Sequence, residues 1–192
     1  MMAKNNDSET NDPKLLRVLI VDDSEDDARL VIRALKKGGY DPEYERVETS
    51  ADMRKALQDK SWDVVLCDYK MPKFSGPQAI AALKETNIDI PLIIVSGAIV
   101  EATAVECMRS GAHDYIMKGN LSRLVSAVKR ELQEAESRSK RIQAEDELRR
   151  QLKELQRWHA VTLDREDRVR GLKKEVNDLL KEAGKPSKYD ET

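Results

Sequence analysis

The chain has 192 residues, with 34 Lys and Arg against 36 Asp and Glu and a formal net charge of −2. That length allows one domain plus an extension, or two small domains, and the near-cancelling charge supplies no field that would favour nucleic acid. Two cysteines, Cys67 and Cys107, form neither a disulfide framework nor a metal knuckle, and the longest apolar stretch, Pro91 to Val95 with Ala98 to Val100 after it, is too short and too interrupted to span a bilayer. The polar run over 1–13 has no signal-peptide pattern. A cytoplasmic chain without membrane contact is therefore expected, with 1–13 as a disordered tail. Residues 1–120 carry 16 basic against 21 acidic side chains, and 121–192 carry 18 against 15 with far fewer apolar runs. This step marks a domain boundary.

Leu15 to Val21 (LLRVLIV) is a nearly continuous apolar run, as a strand buried on both faces requires. Ser24 can cap a helix with Glu25, Asp26 and Asp27 in its first turn, an apolar stripe of Ala28, Val31, Ile32 and Leu35, and a stop at Gly38-Gly39. A weaker strand around Tyr44 to Val47 precedes a helix capped by Ser50. Asp63 to Cys67 (DVVLC) reads as the third strand. Pro72, Ser75 and Gly76 form a loop before a helix over Pro77 to Lys84. Pro91 to Ser96 (PLIIVS) is the fourth strand, a helix runs from about Val100 to Arg109 and stops at Gly111, and Asp114 to Met117 (DYIM) is the fifth strand. Five strand-then-helix repeats imply an α/β domain with a doubly wound, five-stranded parallel sheet, and about 120 residues suffice to bury such a core.

The fifth helix is expected from Leu121, capped by Asn120, and it does not stop where a compact domain would end. Leu121, Val125, Val128, Leu132 and Ala135 alternate at four-three spacing, the seam of a coiled coil. The register slips before Leu148, Leu152 and Leu155, as a stutter would produce. It resumes at Val169, Leu172, Val176, Leu179 and Ala183, before Gly184 and Pro186 close the helix. The expected layout is a globular domain over 14–135, a helical or coiled-coil extension over 136–184 and a flexible tail over 185–192.

In an open parallel sheet the reactive groups gather at the carboxyl ends of strands beside the switch in strand order. In the common order 2-1-3-4-5 the first strand lies beside the third, so Asp22 and Asp23 converge with Asp68 at one rim. Three carboxylates there repel unless a cation is present, and hard oxygen ligands at a partly open site suit Mg²⁺. Ser96 brings a hydroxyl from the fourth strand, and Lys118 brings a compact positive charge from just past the fifth. Together these groups suit phosphoryl transfer.

Asp22-Asp23 after LIV, Asp68 after DVVLC, Ser96-Gly97 after LIIV, and Tyr115 three residues before Lys118 resemble the response-regulator receiver family over about residues 15–135. The resemblance implies that Asp68 is the phosphorylation site and nucleophile, with Ser96 and Lys118 as its catalytic partners. It also implies a Mg²⁺ site of Asp22, Asp23, Asp68 and the Lys70 backbone carbonyl, and a switch in which Ser96 draws its loop inward and Tyr115 rotates into the vacated space. The implied partner is a sensor histidine kinase or a phosphotransfer protein. Gly119 departs from the proline that follows this lysine in many receivers, and Lys70, two positions past Asp68, is placed to tune phosphoryl lifetime.

Plainer readings stand beside these. Glu25, Asp26 and Asp27 are expected as first-turn acids that favour the helix dipole rather than as metal ligands. Trp62 reads as packing, and His113 has no partner suggested by spacing. His159 lacks the acidic neighbour and the proline of a phosphoaccepting histidine. The charge runs of the extension read as solvated helix faces. The extension resembles linkers that join receivers to other signalling domains, and its leucine and valine stripe must be buried by pairing with a second copy or by docking on a partner helix; a homodimer through the C-terminal helix is the expected assembly. The competing reading is a constitutive coiled-coil scaffold in which the rim is inactive.

Overall fold

The computed structural model describes residues 13–97, 101–186 and 188–189, with 101, 102 and 160–164 described by their backbone alone. Most of the 1–13 tail, and the expected start of the fourth helix at Val100, lie outside the described residues. Five strands, β1 (Lys14–Val21), β2 (Tyr40–Val47), β3 (Val64–Cys67), β4 (Leu92–Ser96) and β5 (Asp114–Met117), alternate with α1 (Glu25–Lys37), α2 (Ser50–Asp59), α3 (Gly76–Glu85) and α4 (Glu101–Ser110). A 3-10 turn (Lys118–Arg123) then leads into α5 (Leu124–Glu182). All pairings are parallel, in the order β2-β1-β3-β4-β5. This is the doubly wound α/β fold expected from the alternation of apolar runs and helical stripes.

Alternate residues of the inner strands feed two cores, as a period of two requires. Leu19, Val21, Val65, Cys67, Leu92 and Ile94 pack with Met53 and Leu57 of α2, Ala79 and Ile80 of α3 and Cys107 of α4. Val18, Ile20, Val64, Leu66, Ile93 and Val95 pack on the other face with Val31 and Leu35 of α1 and Leu124 and Val128 of α5. Each aliphatic side chain fully buried this way contributes about 1.5–3 kcal/mol before chain entropy is charged against it. Trp62 is held by packing, as expected, and its indole N–H also donates to the Ala56 carbonyl at 2.9 Å.

Several local expectations are corrected. The side-chain cap of α2 is Thr49, whose hydroxyl accepts the Asp52 N–H at 3.2 Å, and Ser50 is already helical. β2 starts four residues earlier than expected and includes Pro42, which an edge strand tolerates because its other side has no partner. Asn120 does not cap the fifth helix. It has non-helical backbone angles inside the 3-10 turn, and the α-helix starts at Leu124. The Ser24 cap holds, with its hydroxyl accepting the Asp27 N–H at 3.2 Å.

The chain divides into compact units Met1–Arg138 and Ser139–Thr192. In the first, Leu124, Ala127 and Val128 are buried and Leu121, Val125 and Leu132 pack against the same core. The opening part of the four-three series is therefore spent on the domain, because a helix on a sheet and a coiled coil use nearly the same spacing. In the second unit Leu148, Leu152, Leu155, Val169, Leu172 and Leu179 are all exposed. Gly184, at φ 68°, ends α5, and the Lys185 N–H donates to the Leu180 carbonyl at 2.9 Å. Within the expected tail over 185–192, the backbone N–H groups of Lys188 and Tyr189 donate to Asn177 Oδ1, and the Tyr189 carbonyl accepts from Asn177 Nδ2 at 2.7 Å. No helix of the described residues is long and apolar enough to cross a membrane.

Candidate functional site

The first two strands next to the switch in order end side by side. Val21 of β1 is in register with Cys67 of β3, and the Asp68 N–H donates to the Val21 carbonyl at 2.8 Å. Asp22 and Asp68 thus leave adjacent strand ends. The Asp22 N–H is held by the Val47 carbonyl, the Asp22 carbonyl accepts from Arg46 Nη1 at 2.8 Å, and Asp22 Oδ1 accepts the Ser24 N–H at 2.8 Å. Burial pushes the Asp22 carboxyl up, while the Ser24 N–H and Lys118 pull it back. Asp68 is largely buried, and its Oδ1 accepts the Tyr69 N–H at 2.7 Å.

Lys118 reaches this rim from the far edge of the sheet. Its Nζ lies 3.0 Å from Asp22 Oδ2, 3.2 Å from Asp68 Oδ2 and 2.6 Å from Asp27 Oδ2. Burial alone would lower the proton affinity of this ammonium, but the carboxylates outweigh it and the net shift is upward. The lysine is thus held charged. Ser96 ends β4 in register with Met117, the residue before Lys118, and is buried. Tyr115 lies on β5, half-buried, and packs against the α2–α4 core. Lys70 is exposed, in a loop closed by an antiparallel bridge to Ser75. The Lys118–Gly119 bond is trans, with no cis peptide among the described residues.

Asp22, Asp23 and Asp68 each offer one oxygen, and these oxygens lie within 4.8 Å of one another. Three carboxylate oxygens with one exposed member are the donor set of a hard divalent cation that keeps part of its water, so the residues fit Mg²⁺.

Two contacts went unseen in the sequence. Asp27, read as a helix-dipole acid, makes the shortest contact to Lys118. It lies in the first turn of α1, directly after the Asp22-Asp23 strand end, and that nearness in the chain was the one signal that pointed there. His113 accepts the Leu92 N–H on Nδ1 at 3.1 Å, which ties the starts of β4 and β5, and no residue pattern announces such a loop-to-backbone bond. His159 is exposed.

A parallel sheet of order 2-1-3-4-5 with an acidic trio and a lysine at its carboxyl rim defines a receiver-type α/β domain. The sequence signature of the response regulator receiver domain matches residues 18–129, and the chain belongs to that family. It is similar to the transcriptional regulatory protein ZraR of Klebsiella oxytoca, at 33% identity over 53% of this chain and 22% of that protein. It is also similar to the regulatory protein AtoC of Escherichia coli K12, at 33% identity over 61% of this chain and 25% of that one. The match thus spans a quarter or less of these curated relatives. Among solved structures, a response regulator receiver domain protein from Clostridium thermocellum matches with a TM-score of 0.55 and 25% identity, over 63% of this chain and 97% of that one.

Proposed function

We propose that the chain is a phosphorylation-dependent switch of two-component signalling, in which Asp68 accepts a phosphoryl group from a sensor histidine kinase or a phosphotransfer protein. The observation that carries this reading is the Asp68 carboxylate itself, largely buried, with Lys118 at 3.2 Å and the carboxylates of Asp22 and Asp23 within reach of the same cation.

Asp68 Oδ1 is engaged by the Tyr69 N–H, and Oδ2 faces Lys118, which supports Oδ2 as the attacking oxygen. An O–P bond forms to Oδ2 as the P–N bond of phosphohistidine breaks, and the leaving imidazole takes up a proton. When bound, Mg²⁺ supplies neutralising charge for the phosphoryl oxygens. Asp22, Asp23 and Asp68 would hold it, with the Lys70 carbonyl as a further ligand. Lys118 orients Asp68 and then a phosphoryl oxygen. Ser96 hydrogen-bonds the phosphoryl group, and Tyr115 follows it inward, changing the face made with α4 and the start of α5.

The receiver extends over 14–135 and the helical extension over 136–184. The exposed leucines and valines of the second unit support a homodimer that pairs this stripe with its copy. The chain is incubated with acetyl phosphate and Mg²⁺, and its intact mass is measured. One added phosphoryl group, absent in Asp68→Asn, is expected. No gain in the wild type would instead favour a constitutive coiled-coil scaffold.

A further inference from the structure

Asp27 belongs to neither the cation trio nor the phosphoacceptor, yet it makes the closest contact in the cluster. It sits in the first turn of α1, with its backbone N–H fixed by the Ser24 hydroxyl. Its neighbours in the turn behave differently. Glu25 is two-thirds exposed and pairs with Arg29 along the helix surface, whereas Asp27 turns to the rim and meets Lys118 at 2.6 Å.

A lysine ammonium has three N–H donors; that of Lys118 donates to Asp27 at 2.6 Å and to Asp22 at 3.0 Å, and Asp68 is its ion-pair partner at 3.2 Å. Two of these acceptors change during the cycle proposed above. Asp22 and Asp68 carry oxygens that a divalent ion would share, and the Asp68 carboxylate loses its charge when it is phosphorylated. Asp27 lies outside the trio, on a capped helix turn. It is the one acceptor whose chemistry stays constant. A lysine is a point charge on a flexible four-carbon stem and needs such a fixed contact to stay in place as the other two are taken up.

Resting on the phosphoacceptor reading, we infer that Asp27 is a positioning residue that anchors the Lys118 ammonium at the rim, so that its other two donors can pass from carboxylates to phosphoryl oxygens.

The test is a double-mutant cycle on the full chain, with wild type, Asp27→Asn, Lys118→Ala and the double variant, and Asp27→Glu as rescue. Phosphorylation by acetyl phosphate with Mg²⁺ is followed by intact mass. At saturating donor, Asp27→Asn is expected to slow the reaction about tenfold, the scale of a misplaced catalytic group, with little change in the half-saturating donor concentration. Asp27→Glu should restore most of the rate. In the Lys118→Ala background, Asp27→Asn should change the rate by less than about twofold. A wild-type rate in Asp27→Asn overturns the inference, as does an undiminished effect without Lys118.

A second readout, Mg²⁺ affinity by calorimetry, needs no phosphoryl transfer. Without Asp27, Lys118 holds Asp22 and Asp68 more firmly, so Asp27→Asn should weaken Mg²⁺ binding by roughly threefold only when Lys118 is present. Equal weakening in both backgrounds would mean long-range charge alone, and the anchor role fails. If the wild-type chain gains no phosphoryl, the phosphoacceptor reading fails separately. The Mg²⁺ cycle then decides the anchor by itself, coupling supporting it and independence overturning it.

Discussion

At the rim, Asp22, Asp68, Ser96 and Lys118 are set by strand ends and Asp27 by the first turn of α1, while Lys70 belongs to a loop. It is exposed two positions past Asp68, in a loop braced by Ser75. On the phosphoacceptor reading proposed above, its cationic chain would screen a phosphoryl group on Asp68 from water. An exposed charge contributes up to about 1 kcal/mol, which is about fivefold in rate. Lys70→Ala should therefore speed loss of the phosphoryl group by up to about fivefold, measured by intact mass after the donor is removed, while the rate of gain stays near wild type. An unchanged lifetime in both Lys70→Ala and Lys70→Glu would remove Lys70 from the mechanism. Asp22, Asp23, Asp68, Ser96 and Lys118 were legible in the sequence because each follows an apolar run that ends in a strand, and topology brings those ends together. Asp27 was masked by a sufficient local explanation, since any acid in a first helical turn suits the dipole.

Between elements, α1 comes close to α5 at Gly38. A Cβ on Gly38, the last cap of α1, would overlap the Val125 side chain of α5. The backbone of Gly38 has φ −83°, open to any residue, so the glycine is there for space. Gly38→Ala should cost about 1–3 kcal/mol, as overpacking does. The cost should fall when Val125→Ala is added, as measured by urea unfolding, and an unreduced cost would place the strain elsewhere.

Further along α5, Arg138 Nη2 and Nε donate to Asp89 in the α3–β4 loop. The guanidinium holds the Asp89 carboxyl below the usual carboxylate range. A carboxyl that titrates lower folded than unfolded stabilises fully above its unfolded value, near pH 4, and that contribution is lost as pH falls through the folded value. Both partners are more than a third exposed, so screening leaves about 0.5 kcal/mol. Arg138→Gln should lower the unfolding free energy by that amount at pH 7, with the gap closing below about pH 4 and in high salt. A gap that survives both would point to lost packing. The elements themselves were readable because buried strands and capped helices have strong periods. The edge strand β2 was cut short because Pro42 and its mixed residues hide half its length, and the inward turn of α5 was hidden because its stripe serves a sheet as well as a second helix.

On the scale of the whole chain, the apolar stripe of the second unit is what a folded protein in water does not leave uncovered without use. Leu148, Leu152 and Leu155, then Leu172, Val176 and Leu179, keep three-four spacing on an otherwise charged helix. Asn177 lies one position off that stripe and is buried under the backbone of Lys188 and Tyr189. The returning C-terminal segment therefore has a hold beside the seam rather than on it. If the seam pairs with its copy, one charge in each leucine group opposes a like charge or apolar surface across the axis. Leu152→Asp with Leu179→Asp should convert the chain from dimer to monomer in sedimentation velocity at micromolar concentration. The rate at which Asp68 gains a phosphoryl from acetyl phosphate should stay within about twofold of wild type, because both substitutions fall outside the unit that holds the rim. A monomeric wild type would leave the stripe to a different partner helix. A double variant that still sediments as a dimer would move the self-association to the receiver, whose α4 carries exposed Val105 and Met108.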